Sequence, residues 1–263
     1  MARVLSALVL LPLVIGTIWF LPPIATLALA AIAAALAFGE YARILLALDI
    51  RIPLVVSGTA VVAACICVGG GYAWADVTLM TAVITMGALA VAGGTADPAV
   101  LRGVAAAVLP VAYIGLPLGA IAAVRLLGGR EAVLLMIVTI VISDSAQFYC
   151  GRAFGRHPLA PTISPKKTRE GAIGGLVFGT LAMALGGRWV FPDAPIPLLV
   201  LVSSCITALG IVGDLFESML KRSAGVKDSS HLIPGHGGVL DRIDSWLFAA
   251  PLYYVFVRYL RLP

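Results

Sequence analysis

The run Val104-Ala-Ala-Ala-Val-Leu-Pro-Val-Ala-Tyr-Ile-Gly-Leu-Pro-Leu-Gly-Ala-Ile-Ala-Ala-Val124 contains no charged side chain. At 1.5 Å of rise per residue, about 20 apolar residues make a helix long enough for the roughly 30 Å hydrocarbon core of a bilayer. Eight further stretches read the same way: Val4–Phe20, Pro23–Phe38, Pro53–Val68, Val77–Val91, Ala132–Tyr149, Ala172–Val190, Pro197–Val212 and Val239–Val257. The pattern predicts an all-α, polytopic membrane bundle of about nine transmembrane helices. Pro22–Pro23 makes the first turn tight, so the first two runs read either as two spans or as one re-entrant hairpin. Arg3 before an apolar run has the look of a signal peptide, but eight more apolar runs follow, which favours a retained first helix.

Composition excludes the other classes. The chain has 263 residues, 61% of them hydrophobic and 12% charged, with a mean hydropathy of +1.06. Soluble domains carry about 25% charged residues, and no core of this size could hide so much apolar surface from water. A disordered chain is excluded for the same reason. Cys65, Cys67, Cys150 and Cys205 lie in or at the ends of apolar runs without metal-ligand spacing, and read as small hydrophobes. The net charge of +5 suits anionic head groups and membrane orientation rather than nucleic acid.

With nine spans, thirteen of the eighteen Lys and Arg residues fall on one side, which should face the cytoplasm. The segments 144–170 and 214–244 hold sixteen of the chain's 31 charges, and the two spans between them return both segments to that side. The expected division is a scaffold of helices in 1–131, with a catalytic region in 132–263. Glu40 and Arg43 read as a local interfacial pair. Gly171, Gly175 and Gly179 form two GxxxG steps, a helix-packing pattern.

Asp144 closes one apolar run, Asp214 closes another, and Asp241 and Asp244 open the last helix. Carboxylates at the edge of hydrocarbon are costly and face a polar cavity or a partner. Two readings stand: salt bridging, for instance of Asp241 with Lys221 or Arg222, or a divalent cation on oxygen ligands, as hard Mg2+ prefers. Pro234-Gly235-His236-Gly237-Gly238 precedes a helix start, where clustered N–H groups favour an anion. Lys221, Arg222, Lys227 and Arg242 surround it, and Ser164-Pro165-Lys166-Lys167-Thr168 adds hydroxyls and ammonium groups from the other loop. Metal-binding oxygens beside phosphate donors suit phosphoryl or nucleotidyl transfer.

The run Ser218-Met-Leu-Lys221-Arg222, Lys227-Asp228 and Pro234-Gly-His236-Gly237-Gly238-Val-Leu-Asp241-Arg242-Ile-Asp244 resembles the signature of the phosphatidate cytidylyltransferases, or CDP-diacylglycerol synthases. Upstream, Ser143-Asp144, Gly151-Arg152, Phe154-Gly155-Arg156, Ile163-Ser164-Pro165, Lys167-Thr168 and Glu170-Gly171 also resemble that family. Four positions depart from it. Asp144-Ser-Ala-Gln147-Phe148 stands where the family often has Asp-x-Gly-Ala-Tyr, and Arg169 stands where an aromatic is common.

The resemblance implies an inner-membrane, multi-pass enzyme, its site facing the cytoplasm, that joins CTP and phosphatidate into CDP-diacylglycerol and diphosphate. It implies Mg2+, with a second cation as an option, held by Asp214 and Asp241 with Asp144 and Asp244 as further ligands or supports. Lys221, Arg222, Asp241, Arg242, Asp144 and Asp244 are the expected catalytic set. Arg152, Ser164, Lys167, Thr168, Lys227, Asp228, His236 and the Gly237 and Gly238 amides are expected to bind substrate. For His236, orienting a phosphate and capping the loop are equal readings. Expected partners are the two substrates and membrane lipids, without nucleic acid, and a homodimer is left open. The alternatives are a CTP-dependent polyprenol-type lipid kinase and an ion-coupled transporter, though a transporter would place its charges nearer helix centres.

Overall fold

Nine helices dominate the backbone in the computed structural model, which describes residues 2–72, 74–235 and 237–260, with side chains from residue 8 onward. In a bilayer the backbone must satisfy its own hydrogen bonds, and a helix does so within one segment. The helices are α1 Ala2–Phe20, α2 Pro23–Ala47, α3 Leu54–Gly69, α4 Ala75–Ala92, α5 Pro98–Pro110, α6 Leu116–Phe154, α7 Arg169–Val190, α8 Ile196–Ser223 and α9 Leu240–Leu260. Eight of the apolar stretches fall on one helix each, with Pro53 and Val239 just outside α3 and α9, and Val104–Val124 runs from α5 into α6. A π-turn at Val111–Gly115 joins α5 to α6 without a break. Gly129, at φ 82° and ψ −178°, interrupts α6 between the predicted spans 104–124 and 132–149. That φ belongs to glycine territory, so the residue type allows the reversal.

Among the described residues, five helical segments are long and apolar enough to cross a membrane: Pro23–Ala47, Ala75–Ala92, Pro98–Phe154, Arg169–Val190 and Ile196–Ser223. The apolar helices Leu8–Phe20 and Leu54–Gly69 are shorter. Large side chains point outward, among them Phe20, Val91 and Trp189, each more than 80% exposed. In water such a surface would aggregate, whereas in lipid it costs nothing. The chain is a multi-pass membrane protein.

Helix α6 lies at the centre and packs against α2, α3, α7 and α9, with α8 closing the bundle between α7 and α9. The GxxxG reading is met: a Cβ at Gly171 would lie 2.7 Å from the Gln147 carbonyl oxygen, and one at Gly179 would lie 3.0 Å from Ser143 Cβ. The glycine face of α7 therefore lets the two backbones touch, and larger residues there would force them apart.

Three helices outrun their apolar cores. α2 continues beyond Phe38 to Ala47, α6 continues beyond Asp144 to Phe154, and α8 continues beyond Asp214 to Ser223. Hydropathy marks where lipid ends, but a helix persists while its side chains find partners. Asp144 and Asp214 therefore do not end their helices, as the sequence suggested; they sit on helix faces. Between α6 and α7 a short antiparallel hairpin, β1 Pro158–Ala160 and β2 Ser164–Thr168, adds an element that the all-helical reading lacked.

Candidate functional site

One close approach builds the site. Gly213 faces the start of α9 so tightly that a Cβ there would lie 2.6 Å from the Asp244 carbonyl oxygen. This contact sets Asp214 on α8 beside Asp244 on α9. Asp144 on α6 joins them, and the three carboxylates lie within range of one another's charge. Lys167, at the end of the hairpin, forms an ion pair with Asp214. Gln147 Nε2 donates to Asp144 Oδ1 at 2.9 Å, so the residue that departs from the family pattern holds this carboxylate. The backbone N–H of Ser245 donates to Asp244 Oδ1 at 2.7 Å.

Asp241 has a different environment. Lys221 Nζ lies 2.5 Å from its Oδ1. Its Oδ2 accepts from the N–H of Ser229 at 3.0 Å, the Ser229 hydroxyl at 2.7 Å and the Gly238 N–H at 2.7 Å. Lys221 also pairs with Glu217, four residues earlier on α8 and fully buried. The salt bridge considered for Asp241 thus forms, and with Lys221. The Lys221 ammonium is shared by two carboxylates, which removes it from the cations free for phosphate. Arg222 is also engaged, since its Nη1 donates to the Val226 carbonyl at 3.2 Å and folds the loop.

The glycine-rich turn corrects a second expectation. The Gly238 N–H is taken by Asp241, while the Val239 and Leu240 N–H groups at the start of α9 donate to Glu40 at 2.9 and 2.7 Å. The protein's own carboxylates fill the anion site at this helix N-terminus. Glu40 therefore does not pair with Arg43, whose Nε donates to the Gly39 carbonyl instead. Glu40 is fully buried and reaches residues of the loop that sequence reading had given to the C-terminal half alone. Its placement between the apolar run that ends at Phe38 and the apolar Ile44-Leu45-Leu46 was the one signal that could have found it, because a carboxylate at the edge of hydrocarbon needs a partner.

Beside this turn opens a pocket of about 530 Å³ whose lining includes Lys227, Asp228, His231, Gly237 and Arg242. The Lys227 and Arg242 side chains make no hydrogen bond or ion pair with the described residues, and Arg242 is close enough to act electrostatically on Asp144. Arg242 thus links the pocket, which it lines, to the charge of Asp144. Arg152 is exposed in the last turn of α6, and Ser164 opens β2. Thr168 caps α7, its hydroxyl accepting from the Gly171 N–H at 3.1 Å. His236 lies outside the described residues. The Tyr113 hydroxyl, in the π-turn, is buried without a hydrogen bond and lies within range of the charges of Glu217, Asp244 and Asp214.

Fold and site together define a class: a polytopic membrane protein that gathers acidic and basic side chains at one end of its bundle. Within that class the chain belongs to the cytidylyltransferase family, whose profile matches residues 1–260. It is similar to a phosphatidate cytidylyltransferase of Haemophilus influenzae, 46% identical over 132 residues, which are 49% of this chain and 46% of that protein. A phosphatidate cytidylyltransferase of Staphylococcus haemolyticus is 40% identical over 144 residues, 55% of each chain. One of Helicobacter pylori is 39% identical over 156 residues, 59% of this chain and 58% of its own. The chain spans about half the length of the curated relatives it matches.

Proposed function

We propose that the chain transfers a cytidylyl group from CTP to phosphatidate, giving CDP-diacylglycerol and diphosphate at the inner membrane, with the site facing the cytoplasm. The observation that carries this reading is the closeness of two kinds of group. The free cations Lys227 and Arg242 line one pocket, and Arg242 lies within electrostatic range of Asp144, which shares its neighbourhood with Asp214 and Asp244.

The phosphatidate monoester is an anion near neutral pH and needs no strong base to attack the α-phosphorus of CTP. The barrier lies in bringing two anions together and in stabilising charge on the departing diphosphate. Lys227 and Arg242 are placed to bind the phosphate chain. Lys167, paired with Asp214, adds positive charge among the carboxylates. The outward apolar faces of the surrounding helices let acyl chains stay in lipid while the head group enters.

Among the described residues no three His, Cys, Asp or Glu side chains converge as a ready-made metal cage. Mg2+ seldom needs one, because it usually takes one or two carboxylates together with substrate phosphates and water. Asp214 and Asp244, adjacent and hard in their oxygens, fit that donor set, with Asp144 as a third carboxylate or the holder of a second cation. Asp241 fits less well, since Lys221 and three other donors already occupy it. When bound, Mg2+ would neutralise phosphate charge and polarise the reacting phosphoryl group.

The test is incubation of the purified chain with phosphatidate, Mg2+ and CTP labelled either in cytidine or at the γ-phosphate. Cytidine label in the chloroform phase is the expected result. Only γ-label there would establish a CTP-dependent lipid kinase, and neither label, from folded protein, would overturn both readings.

A further inference from the structure

Glu40 and Leu240 stand 200 residues apart in the chain, yet the carboxylate of one receives the backbone N–H of the other at 2.7 Å. The Val239 N–H and the Ser230 hydroxyl donate to the second oxygen at 2.9 and 2.6 Å. The Ser229 hydroxyl lies 2.9 Å from Glu40 Oε2 and 2.7 Å from Asp241 Oδ2, tying the two carboxylates together. Three donors from one short segment, and a Ser229 hydroxyl shared with Asp241, converge on a side chain with no exposed surface. A buried carboxylate is costly unless its oxygens are satisfied, and here the loop supplies every donor.

From these contacts we infer that Glu40 is a positioning residue, which holds the 229–240 segment and the start of α9 in the shape that gives the Lys227–Arg242 pocket its affinity for substrate phosphates. The inference rests on the proposed use of CTP by that pocket. It also explains Gly238: a Cβ there would overlap the Ser229 hydroxyl and the Glu40 carboxylate, so the glycine admits the clamp rather than a ligand. Neither Lys227 nor Arg242 touches Glu40. Its effect passes through the segment that joins them, whose two ends it fixes at Ser229 and Leu240.

The experiment compares the wild type with Glu40→Gln and with the double change Ser229→Ala/Ser230→Ala, by hydrogen exchange and steady-state kinetics. Glu40→Gln keeps the shape but loses the charge and at least one acceptor. Exchange of the Val239 and Leu240 amides should quicken about tenfold or more while α6 and α8 stay protected. The KM for CTP should rise about tenfold and the KM for phosphatidate less than about twofold, the mark of a loosened nucleotide pocket. The double serine variant, which keeps the amide bonds, should fall between. Unchanged amide exchange in Glu40→Gln would overturn the clamp. Equal losses for both substrates that follow the folded fraction would reduce Glu40 to a structural role, and tighter CTP binding would make it a plug instead. If the wild type does not use CTP, the functional reading fails, and the exchange result alone decides the clamp.

Discussion

Lys221 Nζ lies 2.5 Å from Asp241 Oδ1 while also pairing with Glu217, so one ammonium on α8 joins its own helix to the first turn of α9. Glu217 is completely buried, and the Lys221 and Asp241 side chains are 12% and 5% exposed. Removing one partner of such a group leaves charge without compensation, at a cost of about 3–5 kcal/mol. Lys221→Met should therefore lower the melting temperature in detergent strongly, and Glu217→Gln added to it should restore part of the loss. If Lys221 instead served a bound phosphate, Lys221→Met would lose turnover and keep its melting temperature.

Asp214 and Asp241 should separate in the same assay. Asp214→Asn removes a ligand charge from a crowded carboxylate group and relieves repulsion, so turnover should fall to near background with the melting temperature unchanged or raised. Asp244→Asn should behave alike, and the double variant should be little worse than either, because groups acting through one ion are not additive. Asp241→Asn should lose both activity and stability, since it disrupts four donors. Chelation should abolish wild-type turnover and added Mg2+ restore it, leaving the melting temperature of Asp214→Asn indifferent to either.

Periodicity and hydropathy made the helices legible because lipid imposes one rule on every span. The segments that exceed their apolar cores were not, since nothing in hydropathy says that α8 continues from Asp214 to Ser223 or that Glu217 and Lys221 share its face. The acidic and basic residues of the site were legible as a set, because so few charges interrupt the chain. Their pairings were not. Whether Asp241 meets a cation or a lysine depends on how α8 crosses α9 at Gly213, and the partner of Glu40 lies at the far end of the sequence. The Gly-rich turn shows the same limit: its composition announces close approach, and only the fold says that the approaching group is a carboxylate of the protein itself.

The two free cations at the pocket should carry most of the phosphate binding. Lys227→Ala and Arg242→Ala are each expected to lower kcat/KM for CTP by roughly 10²–10³, the usual loss for a charge-assisted bond that matures in the transition state. Arg222→Ala, whose guanidinium folds the loop onto Val226, should lose several-fold less. Steady-state kinetics with CTP varied at fixed phosphatidate measure both. Losses of less than about threefold in Lys227→Ala and Arg242→Ala would return these residues to the role of lipid-surface anchors.

Topology gives the last prediction, and the contacts supply its logic. Glu40, near the end of α2, touches the start of α9, so these two ends share one face of the bundle with the Lys167–Asp214 pair. At the opposite end, Arg130 donates to the Trp19 carbonyl at 3.2 Å and stacks over the Trp19 ring at 4.4 Å, while Arg125 reaches the Leu21 carbonyl. The α1–α2 turn therefore lies with the Gly129 break, away from the site. Following the chain from the end of α2 reverses direction at each of α3, α4, the α5–α6 rod, the second part of α6, α7, α8 and α9. The site face receives the 144–170 and 214–244 segments, and the end of α9 emerges opposite. Since the site face also collects most of the Lys and Arg residues, it should be cytoplasmic. A reporter fused after Lys166 should then be active only in its cytoplasmic form, and one fused after Pro263 only in its exported form. Both reporters on one side would mean an even number of crossings between Lys166 and Pro263, so that one of α7, α8 and α9 does not span.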